Sequence, residues 1–141
     1  IDVQTGDELW SRIGNGSDIV AMHYVQNTNA LLTATSMQKL QLISADHGEV
    51  LFTQEAKGGV LRDVVVFEDE SRFATAHSDG TIGIWDCDTS SLIASIPANQ
   101  PLECITVSKD GHRLAVGGGS EMIEILDGMS HGARFQNAKS K

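Results

Sequence analysis

Apolar and polar residues alternate with a period of two in short segments along this chain, and polar turns separate the segments. The clearest case runs from Phe73 to Asp86. Phe73 and Thr75 alternate with small residues, the pattern of a half-buried strand. Ser78-Asp79-Gly80 follows. Asp-Gly marks a tight hairpin, because glycine accepts positive φ and the aspartate bonds its own turn. Ile82, Ile84 and Trp85-Asp86 continue as a second strand that ends on a large apolar anchor and a carboxylate. The stretch predicts an antiparallel hairpin.

The pattern repeats. Phe73 and Leu114 stand 41 positions apart, as do Asp86 and Asp127, while Leu31 precedes Phe73 by 42. The strand before each hairpin recurs as Ile19, Met22 and Tyr24, then Leu61, Val64 and Val66, then Leu102, Ile105 and Val107. A fourth apolar segment follows each polar turn, with Leu9, Leu51 and Ile93 in equivalent places. Four strands in about 40–45 residues is the period of a propeller blade. Helical repeats of similar length are the competing reading. Val64-Val65-Val66-Phe67 is β-branched and aromatic, and glycine and asparagine recur too often for helices of that length.

These residues carry a family likeness. Thr75 to Asp86, with its terminal Trp-Asp, resembles the end of a WD-repeat, and Val107-Ser108-Lys109-Asp110-Gly111 resembles the family's turn between first and second strands. The other copies end in Ile1-Asp2, Ile43-Ser44 and Leu126-Asp127. The resemblance implies an all-β fold of WD-repeat β-propeller blades, each of four antiparallel strands. It also implies that Thr75, Asp79 and Trp85 form a structural hydrogen-bond lock, with Asp86 beside them. In the family a histidine from a Gly-His pair completes that lock. The equivalent pairs here are Gly14-Asn15, Ala56-Lys57 and Pro97-Ala98, so the lock is expected to lack its histidine.

The expected organisation is the end of a preceding blade over 1–13, with blades over 14–55 and 56–97. A partial blade follows over 98–127, then a C-terminal extension over 128–141. Strands are expected at 19–25, 31–36, 39–44, 49–54, 61–67, 73–77, 81–86, 91–96, 102–107, 113–117 and 122–127. Residues 1–13 are expected to hold an outer strand containing Trp10, packed between blades. Ala133-Arg134-Phe135-Gln136 is a poor candidate for the last outer strand. About three blades do not close a ring. The chain, which starts inside a repeat, is therefore expected to be a fragment of a larger, about seven-bladed propeller. Closure with another chain and an open array on a neighbouring subunit are the alternatives.

Composition narrows the function. The 141 residues give a formal net charge of −9, with 19 acidic and 10 basic side chains. That balance argues against binding a phosphate backbone. Two separated cysteines, Cys87 and Cys104, fit free thiols in an intracellular, cytoplasmic setting. No apolar run reaches the length of a membrane span.

No catalytic or metal constellation emerges. His23, His47, His77, His112 and His131 are scattered without ligand spacing and read as structural or solvent-exposed. Glu68-Asp69-Glu70 reads as a solvated turn patch, Cys87 as a bystander thiol, and Gly117-Gly118-Gly119-Ser120 as a loop or close backbone approach rather than a phosphate cradle. The Phe-Arg-Arg-Gly motif of phosphoinositide-binding propellers is missing, and aromatics are only 5% of residues, too few for base stacking. No cofactor, metal or small-molecule substrate is expected.

The resemblance implies a non-enzymatic scaffold or adaptor that binds other proteins in a multiprotein complex. The candidate binding loops carry Asn15, Asp18, Gln38, Lys57, Asp79, Asn99 and Ser120. The alternatives are a propeller domain attached to an enzyme or motor outside this segment, and a permanent structural subunit of a ribonucleoprotein or axoneme. The basic tail residues Arg134, Lys139 and Lys141 read as a disordered terminus.

Overall fold

The structure, a computed structural model, describes residues 3–11, 17–128 and 135–138. Among these there are twelve strands and no helix. β1 (Ile19–Val25), β2 (Ala30–Thr35), β3 (Lys39–Ser44) and β4 (Val50–Glu55) form the first sheet in that order. The second holds β5 (Leu61–Val66), β6 (Arg72–His77), β7 (Thr81–Asp86) and β8 (Leu92–Pro97). The third holds β9 (Cys104–Val107), β10 (Arg113–Gly117), β11 (Ile123–Gly128) and β12 (Phe135–Ala138). Every pairing is antiparallel between neighbours in sequence. Each sheet has the four-stranded antiparallel build of a WD-repeat propeller blade.

The repeat extends to local geometry. The strand pairs β1–β2 and β5–β6 slip register at Ile19/Ala21 and Leu61/Asp63, and β3–β4 and β7–β8 slip at Leu42/Ile43 and Ile84/Trp85. Each second hairpin turns through a left-handed residue: Gln38 (φ 64), Gly80 (φ 86) and Glu121 (φ 61). Glycine meets this demand without cost only at Gly80; the other two positions carry side chains in a region L-residues rarely occupy.

The core lies between sheets. Val25, Leu32, Ala34 and Leu40 of the first sheet meet Leu61, Val64, Val66, Phe73 and Trp85 of the second. Val65, Ala74, Ala76, Ile82 and Ile84 meet Ile105, Leu114, Val116 and Leu126 of the third, with Leu102 from the loop before it. β6 and β7 of the middle sheet are thus buried on both faces, where the alternation at Phe73 and Thr75 predicts a half-buried strand. Each large side chain so buried contributes about 1.5–3 kcal/mol of transfer free energy. The outward faces of the flanking sheets expose Ile19 and Met22 on one side and Met122 and Ile123 on the other.

Two expectations need correction. Residues 3–11 form no strand. An outer strand needs a neighbour to ladder on, and none of the described strands pairs with these residues. Trp10 instead folds back on the first sheet, where its indole lies against Gly48 and its Nε1–H donates to the Ala45 carbonyl at 2.6 Å. At the other end the third sheet does have a fourth strand. β12 covers Phe135–Ala138 and pairs Phe135 with Gly128 and Ala138 with Ile125. This overlaps the segment judged a poor candidate from its pattern. Ile1-Asp2, His131, Arg134, Lys139 and Lys141 lie outside the described residues.

Candidate functional site

The most ordered polar constellation joins the first two sheets. Thr75 and His77 alternate along β6 and so share a face, with Gly83 paired to Thr75 and Trp85 two residues on along β7. Trp85 Nε1–H donates to Thr75 Oγ1 at 3.0 Å. Thr75 Oγ1 lies 2.9 Å from His77 Nε2, and His77 Nδ1 lies 3.0 Å from the Gly59 carbonyl oxygen. A carbonyl only accepts, which places the imidazole proton on Nδ1 and makes Nε2 the acceptor of the Thr75 hydroxyl. Gly59 N–H then donates to Asp79 Oδ2 at 2.9 Å. The chain therefore runs in one direction from indole to carboxylate, and no buried side-chain polar atom among the described residues lacks a partner. His77 is 1% exposed. It is the lock's missing histidine, supplied by the hairpin strand β6 instead of the loop before β5. Gly83 leaves space for it: a Cβ there would sit 2.6 Å from both Thr75 Oγ1 and Trp85 Nε1.

The same joint between the second and third sheets uses other groups. Val116, Gly118, Ser120 and Leu126 stand where Thr75, His77, Asp79 and Trp85 stood. Buried Glu124 replaces Gly83. It accepts from Asn99 N–H (2.8 Å), Asn99 Nδ2–H (3.1 Å) and Gln100 Nε2–H (3.3 Å). Ser120 Oγ–H donates to Gln100 Oε1 at 2.5 Å. The Gly117–Ser120 loop holds Gly118 against the Pro101 carbonyl with no room for a Cβ, a close backbone approach.

Of the candidate binding residues, Asn15 lies outside the described residues. The others gather at one end of the sheets, where hairpin tips meet the loops entering the next sheet. Gln38 Nε2–H reaches the Gly58 and Gly59 carbonyls at 2.9 and 3.2 Å, and Asp18 bonds Ser36 through its backbone. Asp79, Asn99 and Ser120 serve the joints just described. Lys57 is exposed and lines a cavity of about 220 Å³ that also touches His77 and Trp85.

The opposite end carries turn carboxylates. Asp86 Oδ1 accepts from Asp88 N–H at 2.8 Å and Thr89 N–H at 3.0 Å. Glu68 and Asp69 are exposed, but Glu70 departs from the solvated reading. Its backbone is left-handed (φ 58), and its carboxylate crosses to the first sheet to accept from Gln26 N–H (2.6 Å) and Asn27 N–H (2.7 Å). A charge-assisted pair of this kind is stronger than neutral bonds. Asp63 makes a similar crossing to Ile105 N–H at 3.0 Å.

Several of these carboxyls sit below their ordinary pKa of 3.8. In Asp79 partial desolvation pushes upward, and hydrogen bonds from Thr81 and Gly59 outweigh it. Asp69 is held down first by Ser71 N–H, Asp86 by Thr89 N–H and Asp110 by the Ser108 hydroxyl. Groups with lowered folded-state values stabilise the fold fully above their unfolded pKa and lose that contribution as pH falls through the folded one. The melting temperature is therefore expected to stay level through weak acid and to fall as pH drops below about 4. Calorimetry across that range checks it.

Among the described residues no three His, Cys, Asp or Glu side chains converge as a metal site. His23 is half-buried on β1, and His47 and His112 are exposed. Cys87 is half-buried, and its thiol is pushed up to about 12, by burial first and then by Asp86, Asp88, Glu70 and Asp69. A thiol with that value is on the order of one part in ten thousand thiolate at pH 8. Iodoacetamide at that pH should modify exposed Cys104 well before Cys87, as peptide mapping by mass spectrometry will show.

Sheets and hairpins together define an all-β protein of four-stranded antiparallel sheets, the build of WD-repeat propeller blades. No family model matches the chain. It is similar to proteins named eukaryotic translation initiation factor 3 subunit I. With that of Brugia malayi it is 29% identical over 70 residues, half of this chain and 21% of the relative. With that of Homo sapiens it is 21% identical over 122 residues, 86% of this chain and 38% of the relative. With that of Mus musculus it is 24% identical over 98 residues, 70% of this chain and 30% of the relative. The chain thus spans well under half the length of each of these relatives. No described helix is long and apolar enough to cross a membrane.

Proposed function

We propose that these sheets are about three blades of a longer WD-repeat propeller, acting as a non-enzymatic scaffold within an intracellular multiprotein complex. The observation that carries this is the similarity to initiation factor 3 subunits, which in the Homo sapiens protein extends over 86% of the chain. The complex suggested is of that kind. The apolar faces at Ile19, Met22, Met122 and Ile123 support further blades on either side. The binding loops are those at the hairpin-tip end, with Asn15, Asp18, Gln38, Lys57, Asp79, Asn99 and Ser120. Asp18 and Lys57 are the best first targets, because their side chains are exposed and carry no described part of a joint.

Affinity purification of the tagged full-length protein, followed by mass spectrometry, tests the reading. The expected result is stoichiometric recovery of other initiation factor 3 subunits, retained in high salt. Recovery of the protein alone would overturn it. Alanine at Asp18 and Lys57 should weaken recovery of partners with unchanged thermal unfolding; unaltered recovery would remove these loops from the interface.

A further inference from the structure

A cleft of about 270 Å³ opens between the first and second sheets at the end opposite the hairpin tips. Val25, Leu32, Leu42, Phe52 and Phe73 give it an apolar floor. Its rim is made by three turns: Asn27 and Thr28 between β1 and β2, Asp69 to Ser71 between β5 and β6, and Cys87 with Asp88 between β7 and β8. Among the described residues no lysine or arginine lines it. Arg72, which acts on Asp69, stacks over the Phe67 ring 4.6 Å away and takes no part in the lining.

We propose that this cleft docks a partner protein's peptide segment bearing a leucine- or methionine-sized side chain next to a lysine or arginine. Two physical features select that occupant. The volume is below the roughly 300–1,000 Å³ of small-molecule pockets, so it suits one apolar side chain rather than a cofactor. The rim is acidic, with exposed Asp69 and Asp88, and their hydrogen-bonding partners are uncharged or absent from the described bonds. Cys87 lies within the same field. After burial, the causes that hold its thiol up are four carboxylates, Asp86, Asp88, Glu70 and Asp69. A cation beside the apolar anchor answers that field, steers encounter and fixes the segment's direction. Glu70 has a separate task. Its carboxylate clamps Gln26 and Asn27, so the cleft wall is held in place before anything binds.

The inference rests on the scaffold reading, and its test separates the two. Methyl-labelled full-length protein is titrated with the acetylated peptide Gly-Lys-Leu-Arg-Gly and with Gly-Glu-Leu-Glu-Gly. The basic peptide should shift the methyl resonances of Val25, Leu32 and Leu42, and the acidic one should not. Asp88→Lys, a substitution at an exposed turn, should weaken the basic peptide by about tenfold, and added salt should weaken it too. Leu42→Phe, which fills the floor, should weaken it without changing the salt dependence. Absence of shifts at those methyls, equal response to both peptides, or indifference to Asp88→Lys would each overturn the proposal. If the wild-type protein recovers partners from cells and the Asp88→Lys variant recovers the same set equally well, the cleft is excluded and the scaffold stands. If the wild type recovers none, the scaffold reading fails whatever the peptides do.

Discussion

Trp85→Ala is expected to lower stability by about 3–5 kcal/mol, seen as a drop in thermal midpoint of the full-length protein. Trp85 is only 4% exposed and packs in the core between the first and second sheets. Its ring stacks on Phe73, its directly paired neighbour on β6, at 5.8 Å between centroids and 2° between planes. Truncation empties that space and also deprives Thr75 Oγ1 of its indole donor. Trp85→Phe separates the two losses, because it fills most of the volume and gives back no N–H. An unchanged midpoint for Trp85→Ala would remove this residue from the core.

His77→Ala is the second large effect. Deleting the imidazole strands the Thr75 hydroxyl and the Gly59 carbonyl, each at about 1–3 kcal/mol if left unpaired. The expected loss is therefore about 2–6 kcal/mol. A double-mutant cycle with Thr75→Val makes the claim specific: coupling of about 0.5–3 kcal/mol is expected for members of one network. Additive losses would mean that the bonds act separately. Lys57→Ala, in the loop position where the family's histidine would be looked for, should have little effect on stability.

The strands were legible because the 41–42 residue period superimposes three copies of one pattern. β1, β3, β7 and β10 fall on the expected residues, β2, β4, β5, β6, β8, β9 and β11 shift by one or two positions at their ends, and β12 was not expected. The lock was only partly legible. Aligning the loop before β5 pointed to Ala56-Lys57 and to an absent histidine. The needed signal was the period of two itself: Thr75 and His77 share one face of β6, opposite a glycine and a tryptophan on β7. A histidine there faces an indole and a hydroxyl, not water. Glu70 was hidden for another reason. Run together, Glu68-Asp69-Glu70 looks like a solvated turn, and only its left-handed backbone turns the last carboxylate toward the neighbouring sheet. Short contacts within a copy leave a periodic trace, whereas contacts between copies, such as Asp63 to Ile105, depend on how the sheets stack.

The two joints differ in their chemistry but share one plan: each fastens a sheet to the loop that leads into it. The first uses an imidazole, a hydroxyl and an indole opposite Gly83; the second uses Asn99 and Gln100 opposite Glu124. Were the loop before β9 to lift off its sheet, the buried Glu124 carboxylate would lose the amides that satisfy it, at the cost of an unpaired charge. That charge acts as a catch on the link between the second and third sheets.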